Sequence, residues 1–159
     1  MGKQEVDQFI SSLTGSWYNP KMDKARAMLK KQGHNLMVYE NDEEIYGVVK
    51  SQRSNAELLY AVKITKDGRF FCGTQNLRRC GGLRGTGPCK HIYLLGLAAV
   101  MDSSDVHKLT DWFRNASHGY SSNNSSEMKA IFEEYVGVLS GQVEWREIET
   151  LPEDYLAMT

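Results

Sequence analysis

All three cysteines of this chain fall between positions 72 and 89, and a histidine follows at position 91. That clustering constrains the fold more than any other feature. In a reducing compartment disulfides rarely persist, so grouped cysteines point to metal binding or catalysis. The pattern reads Cys72, Cys80, Cys89, Lys90, His91, with Gly73, Gly81, Gly82, Gly85, Gly87 and Pro88 between the outer cysteines. A turn-rich stretch of that length inside a compact domain needs a function or a fastening. Three thiolates and one imidazole form a standard tetrahedral set for structural zinc. One Zn2+ held by Cys72, Cys80, Cys89 and His91 would fasten the loop.

The flanking patterns say what the loop joins. Leu58, Tyr60, Val62 and Ile64 alternate with polar or small neighbours, which predicts a half-buried strand over 58–65. Lys66-Asp67-Gly68 reads as a hairpin turn, and a return strand over 69–72 delivers Cys72 at its end. Residues 92–101 form an apolar run, which predicts a buried helix from near Cys89 to about Met101. The positive end of that helix favours thiolate over thiol. A strand end and a helix start are rigid, so a glycine-rich link can fold back around an ion between them.

The rest of the chain predicts an α+β fold: a small antiparallel sheet flanked by N-terminal and C-terminal helices. Val6, Phe9, Ile10 and Leu13 keep helical spacing. Asn19-Pro20 caps and opens a second helix with Met22, Ala25, Met28 and Leu29 as its stripe, and Gly33 as its stop. Two strands follow, over 36–40 and 45–50. Beyond 102, a helix carrying Val106, Leu109, Trp112 and Phe113 takes Ser103 or Ser104 as its cap. Met128, Ile131, Phe132, Tyr135 and Val136 mark a last helix, and 143–145 a short edge strand. These helices are expected to bundle on the apolar one. A chain of 159 residues, 41% hydrophobic and 25% charged, suits a single domain over 1–159 with a real core, so zinc organises part of the fold.

Residues 71–74 and 87–94, Phe-Cys-Gly-Thr and Gly-Pro-Cys-Lys-His-Ile-Tyr-Leu, resemble the SWIM zinc finger. That family reads Cys-x-Cys, a variable loop, then Cys-x-His opening an apolar helix. Residues 28–33, 46–51 and 59–64 resemble the helix and strands that precede it, so the likeness spans about 22–101, leaving an acidic helical part at 102–159. Thr74 stands where the family has its second cysteine, and Cys80 is the replacement from within the loop. The alternative is a finger that has lost its metal.

The resemblance implies a binding role without choosing the ligand. Small free-standing bacterial SWIM proteins resemble components of systems with AAA+ ATPases and von Willebrand A proteins, which makes a protein-binding adaptor the first expectation. Residues 1–92 carry 15 basic and 9 acidic side chains, against 4 and 11 in residues 93–159. The acidic part, with Trp145, Leu151 and Tyr155, could dock a protein partner. The basic loop residues Arg78, Arg79, Arg84 and Lys90 make nucleic-acid binding the second expectation, with Phe70, Phe71 and Tyr93 as stacking candidates.

An enzyme is not expected. Four protein ligands leave zinc no open position for an activated water. A Cys80 or Cys89 nucleophile with His91 as base is the rival, but such partners are usually distant in sequence. No phosphate loop, nucleophile elbow or paired-carboxylate motif appears. His34, His107 and His118 are scattered and read as surface residues. No apolar run approaches the ~20 residues of a membrane span. The N-terminus lacks an apolar signal core, and Val6 breaks the myristoylation pattern after Gly2. A cytoplasmic location is the expectation.

Overall fold

The computed structural model describes residues 2–15, 19–31, 34–53, 56–122 and 124–150. It is α+β, with a five-stranded antiparallel sheet and five helices. Helix α1 (Gly2–Thr14) and α2 (Pro20–Lys31) lead into strands β1 (His34–Glu40), β2 (Glu44–Arg53), β3 (Ala56–Thr65) and β4 (Phe70–Thr74). After the cysteine loop come α3 (Lys90–Asp102), α4 (Val106–Ala116), α5 (Ser125–Leu139) and β5 (Arg146–Thr150). The sheet order is β4-β3-β2-β1-β5. No helix among the described residues is long and apolar enough to cross a membrane.

Local chemistry accounts for most boundaries. The Asn19 side chain accepts the Met22 N–H at 3.0 Å, capping α2 as its sequence predicts. Gly33 and the tail residues Leu151 and Tyr155 lie outside the described residues. The turn between β3 and β4 needs Gly68, whose φ of 83° favours glycine and whose α-carbon faces the Asn115 backbone.

Three expectations need correction. Helix α4 is capped by Asp105, which accepts from the N–H groups of His107 and Lys108. Ser103 and Ser104 instead end α3, their N–H groups donating to the Ala99 carbonyl, and the Ser104 hydroxyl donates to Glu40. The final strand begins at Arg146 rather than over 143–145 and pairs with β1. The third correction concerns α5. It does not join a bundle on the apolar helix but covers the opposite sheet face.

Strand alternation makes two cores. Leu36, Val38, Ile45, Val49, Val62, Ile64, Phe70 and Cys72 face α1–α4. Val48, Ala61 and Phe71 face Met128, Ile131 and Tyr135 of α5. The face of β3 expected to meet water is therefore roofed by a helix. Polar pairs pin that roof: the Tyr46 hydroxyl and Trp145 Nε1 both donate to Glu134 Oε2, at 2.9 and 3.1 Å, and Lys63 lies 3.3 Å from Glu127. Trp145 is thus packed on the sheet, edge-on to Tyr46.

Glu40 ties the C-terminal strand to the helical side. Its carboxylate accepts from Ser104 Oγ at 2.6 Å and Arg146 Nη2 at 3.2 Å, and pairs with Lys108 at 2.7 Å. Burial pushes its pKa up, but the Lys108 and Ser104 bonds and the charges of Lys108 and Arg146 outweigh this and hold it below the ordinary 4.5. A depressed folded pKa stabilises the protein above the unfolded value, and that contribution is lost as pH falls through the folded one. Glu40→Gln is expected to cost about 1–2 kcal/mol near neutrality. In urea melts the difference from wild type should hold above about pH 4.5 and shrink below it; a gap unchanged down to pH 3 would exclude an ionised Glu40 as its source.

Candidate metal centre

The site is assembled from a strand, a hairpin return and a helix start. Cys72 sits in β4 with its side chain in the core. After Thr74 the chain turns through Leu77, whose φ is 61°, and comes back alongside β4. Gly73 bridges to Arg79, Thr74 N–H donates to the Arg78 carbonyl at 2.9 Å, and Cys80 N–H donates to the Cys72 carbonyl at 2.8 Å. This return explains Thr74. Its hydroxyl accepts from Arg78 N–H at 3.4 Å, so it serves the turn, while Cys80 arrives across from Cys72. A 3-10 turn, Gly81–Leu83, then carries the chain over the site, anchored by the buried Leu83. Gly82 lies close against the site: a β-carbon there would approach the Cys89 β-carbon at 3.1 Å.

Cys89 is the N-cap residue of α3. His91 follows in the first turn, 4% exposed, its ring stacked on Tyr60 at 3.9 Å between centroids and 21° between planes. Tyr60 shares the inward face of β3 with Val62 and Ile64, so the alternation placed it there, but nothing in the sequence marked it as a partner of His91. Leu83 was equally unmarked as the loop's plug.

The four donor atoms lie within 4.8 Å of one another, and all four residues are buried. His91 Nδ1 is 3.5 Å from Cys80 Sγ and 3.8 Å from Cys72 Sγ. A tetrahedron with Zn–S near 2.3 Å and Zn–N near 2.0–2.1 Å separates sulfur from nitrogen by about 3.6 Å. The spacing of the donors is compatible with a single ion among them.

Electrostatics favour a cation for the same reason. Burial pushes the Cys72 and Cys89 thiols up, and the neighbouring sulfurs add to this at Cys72. Cys80 is pulled down, first by hydrogen bonds from Cys72 and Cys89, then by His91 and the Gly82 backbone. With three sulfurs this close, ionising one disfavours ionising the others. Full ionisation requires a positive ion among them, and a coordinating thiol is deprotonated outright. All three cysteines are free of disulfides.

The basic loop residues are distributed unevenly. Arg78, Arg79 and Arg84 are exposed and Lys90 is half-buried. Arg78 and Arg79 line one cleft of about 570 Å³ with Leu58, Leu59, Tyr60 and Asn76, whereas Arg84 and Lys90 lie outside it. Phe70, Phe71 and Tyr93 are core residues, which removes them as base-stacking surfaces. His107 and His118 are exposed, as expected.

No family model matches the chain, and neither does any curated protein or solved structure. What the fold and the site define is an α+β chain with a buried Cys3His group able to hold one metal ion.

Proposed function

We propose that this chain is a SWIM-type, non-enzymatic zinc-binding module that acts as a protein-binding adaptor, and that Cys72, Cys80, Cys89 and His91 hold one structural Zn2+. The observation that carries this reading is the convergence of four protein donors within 4.8 Å. Thiolate-rich tetrahedral sites select zinc over the hard cations, which prefer oxygen. A full complement of protein donors leaves no coordination position for substrate, which favours a structural role. The zinc would fix the cysteine loop and the start of α3 as one surface. Its setting would be the reducing cytoplasm, and its partner a protein of the AAA+ ATPase or von Willebrand A kind, as the SWIM resemblance implies.

The test is elemental analysis of purified full-length protein, with Co2+ exchanged for the native metal. One zinc per chain and the thiolate-to-cobalt bands of a tetrahedral site are expected. Folded protein that is free of metal, even after zinc is supplied, would sink the reading.

Nucleic-acid binding through the loop is the second reading, favoured by the exposure of Arg78, Arg79 and Arg84. It is weaker on two counts. The chain as a whole carries a net charge of −1, and the aromatic residues nearest the loop in sequence are buried.

A further inference from the structure

Strand β3 outruns its neighbour β4. The last β3–β4 pair is Tyr60 with Thr74, yet β3 continues to Ala56 and stays paired with β2 on its other side. The hydrogen-bonded positions can be counted from the turn. Thr65 N–H donates to the Arg69 carbonyl at 2.9 Å. In an antiparallel ladder such positions recur at every second residue, so Lys63 and Ala61 face β4 and are followed by Leu59 and Glu57. Among the described residues no strand lies opposite those last two. Their backbone N–H and C=O groups face the side on which the cleft of about 570 Å³ opens, and the hairpin tip, with Thr74, Asn76, Arg78 and Arg79, forms its far wall.

An unpaired sheet edge is a template for another strand. Natural edges are commonly blunted by charge or proline; here the charged residues that line the cleft are two arginines of one sign. Both are exposed, and no side-chain partner holds either among the described residues. Backbone pairing is not a mode that nucleic acid can use, whereas an extended peptide uses it directly. Positive charge at the rim then selects for acidic side chains in the incoming strand.

We propose that the β3 edge at Leu59 and Glu57 is a strand-addition site that receives an extended, acidic segment of a partner protein, with Arg78 and Arg79 pairing with its carboxylates. This deepens the adaptor reading and rests on it, since the metal-fastened hairpin supplies one wall. The site lies beside the metal centre: Tyr60, which lines the cleft, also stacks on His91.

The experiment uses full-length zinc-loaded protein labelled with 15N. The probes are a short capped peptide alternating Glu and Val, the same peptide N-methylated at alternate residues, its Lys-for-Glu counterpart, and oligo-dT of matching length. The acidic peptide should shift the amides of Leu59, Tyr60 and Asn76. N-methylation should weaken binding by about tenfold or more, because it removes the donors a ladder needs. The Lys-for-Glu peptide should leave those amides still. Arg78→Glu with Arg79→Glu should abolish the response to the acidic peptide while leaving one zinc per chain, so loss of binding is read apart from loss of metal. Failure of the adaptor's zinc would show separately, as metal-free wild type. The proposal is overturned if no peptide moves the Leu59 amide, if the N-methylated peptide binds equally well, or if oligo-dT occupies the cleft more tightly than the acidic peptide.

Discussion

Replacing Cys80 by serine will leave the folded protein without stoichiometric zinc, and residues 73–88 will lose their hydrogen-exchange protection. The loop has little else to hold it. Its backbone bonds are few, among them those from Cys80 to Cys72 and from Leu83 to Cys80, and apart from Cys80 its buried side chains are Leu83 and Pro88. Closing a loop of this length costs chain entropy that such contacts offset poorly. Structural zinc is worth about 10–16 kcal/mol in finger peptides. In a domain with its own core the gain appears as mass action, about 4 kcal/mol when free zinc stands 1,000-fold above Kd. The sheet and α3 should therefore survive in the variant, with the β3 and α3 amides still protected. Thr74→Ser is the control. It keeps a hydroxyl for the Arg78 N–H and should bind zinc fully. A Cys80→Ser protein that still holds one zinc per chain would remove Cys80 from the ligand set and reopen the question of the fourth donor.

That same cysteine marks the limit of what could be read from the sequence. Residue types and helix position identified Cys72, Cys89 and His91 as donors, because one closes a strand and two open a helix. Cys80 entered the set through its clustering with the other cysteines and as the replacement for the family's cysteine at Thr74. The reason it suffices is geometric: the reversal through Leu77 lays residues 78–80 back along β4. A positive φ at a leucine leaves no compositional trace, so no pattern announced the turn.

The sheet shows a similar division. Strands β1 to β4 were legible because period-2 alternation and a Lys-Asp-Gly turn are local signals. The covering of the second face was not, since a polar neighbour such as Lys63 carries no sign of the α5 residue, Glu127, with which it pairs, nor Tyr46 of its bond to Glu134. Val136 shows the converse: it belongs to the apolar spacing of α5 and is 64% exposed. The edge strand β5 is hard to place from the sequence because only Ile148 of its described side chains is buried. One inward residue among charged ones carries almost no periodic signal.

Phe113→Ala should cost about 3–5 kcal/mol, the range for emptying a fully buried aromatic site, and yet leave one zinc per chain. Phe113 stands where three helices meet. Its ring lies 5.2 Å from that of Phe9 of α1, edge to face at 83°, and 5.6 Å from that of Tyr93 of α3, stacked at 29°. Gly96 permits the approach: a β-carbon there would come within 2.7 Å of the Phe113 ring and 2.9 Å of the Phe9 ring. The cavity cannot close easily, because α1 and α4 already rest on the α3 backbone at that point. For a domain of this size the loss corresponds to a Tm lower by roughly 10 °C. Gly96→Ala probes the same contact from the other side. Its gain in helix propensity, about 1 kcal/mol, should be outweighed by overpacking, commonly about 1–3 kcal/mol. Zinc should stay because the ring contact of Phe113 at the start of α3 is with Tyr93, which is not one of the four donors. Calorimetry and metal analysis on one preparation separate the two effects. A loss below about 1 kcal/mol would mean that the helical layer relaxes around the gap, and loss of zinc along with stability would mean that the helical core and the metal centre are a single cooperative unit.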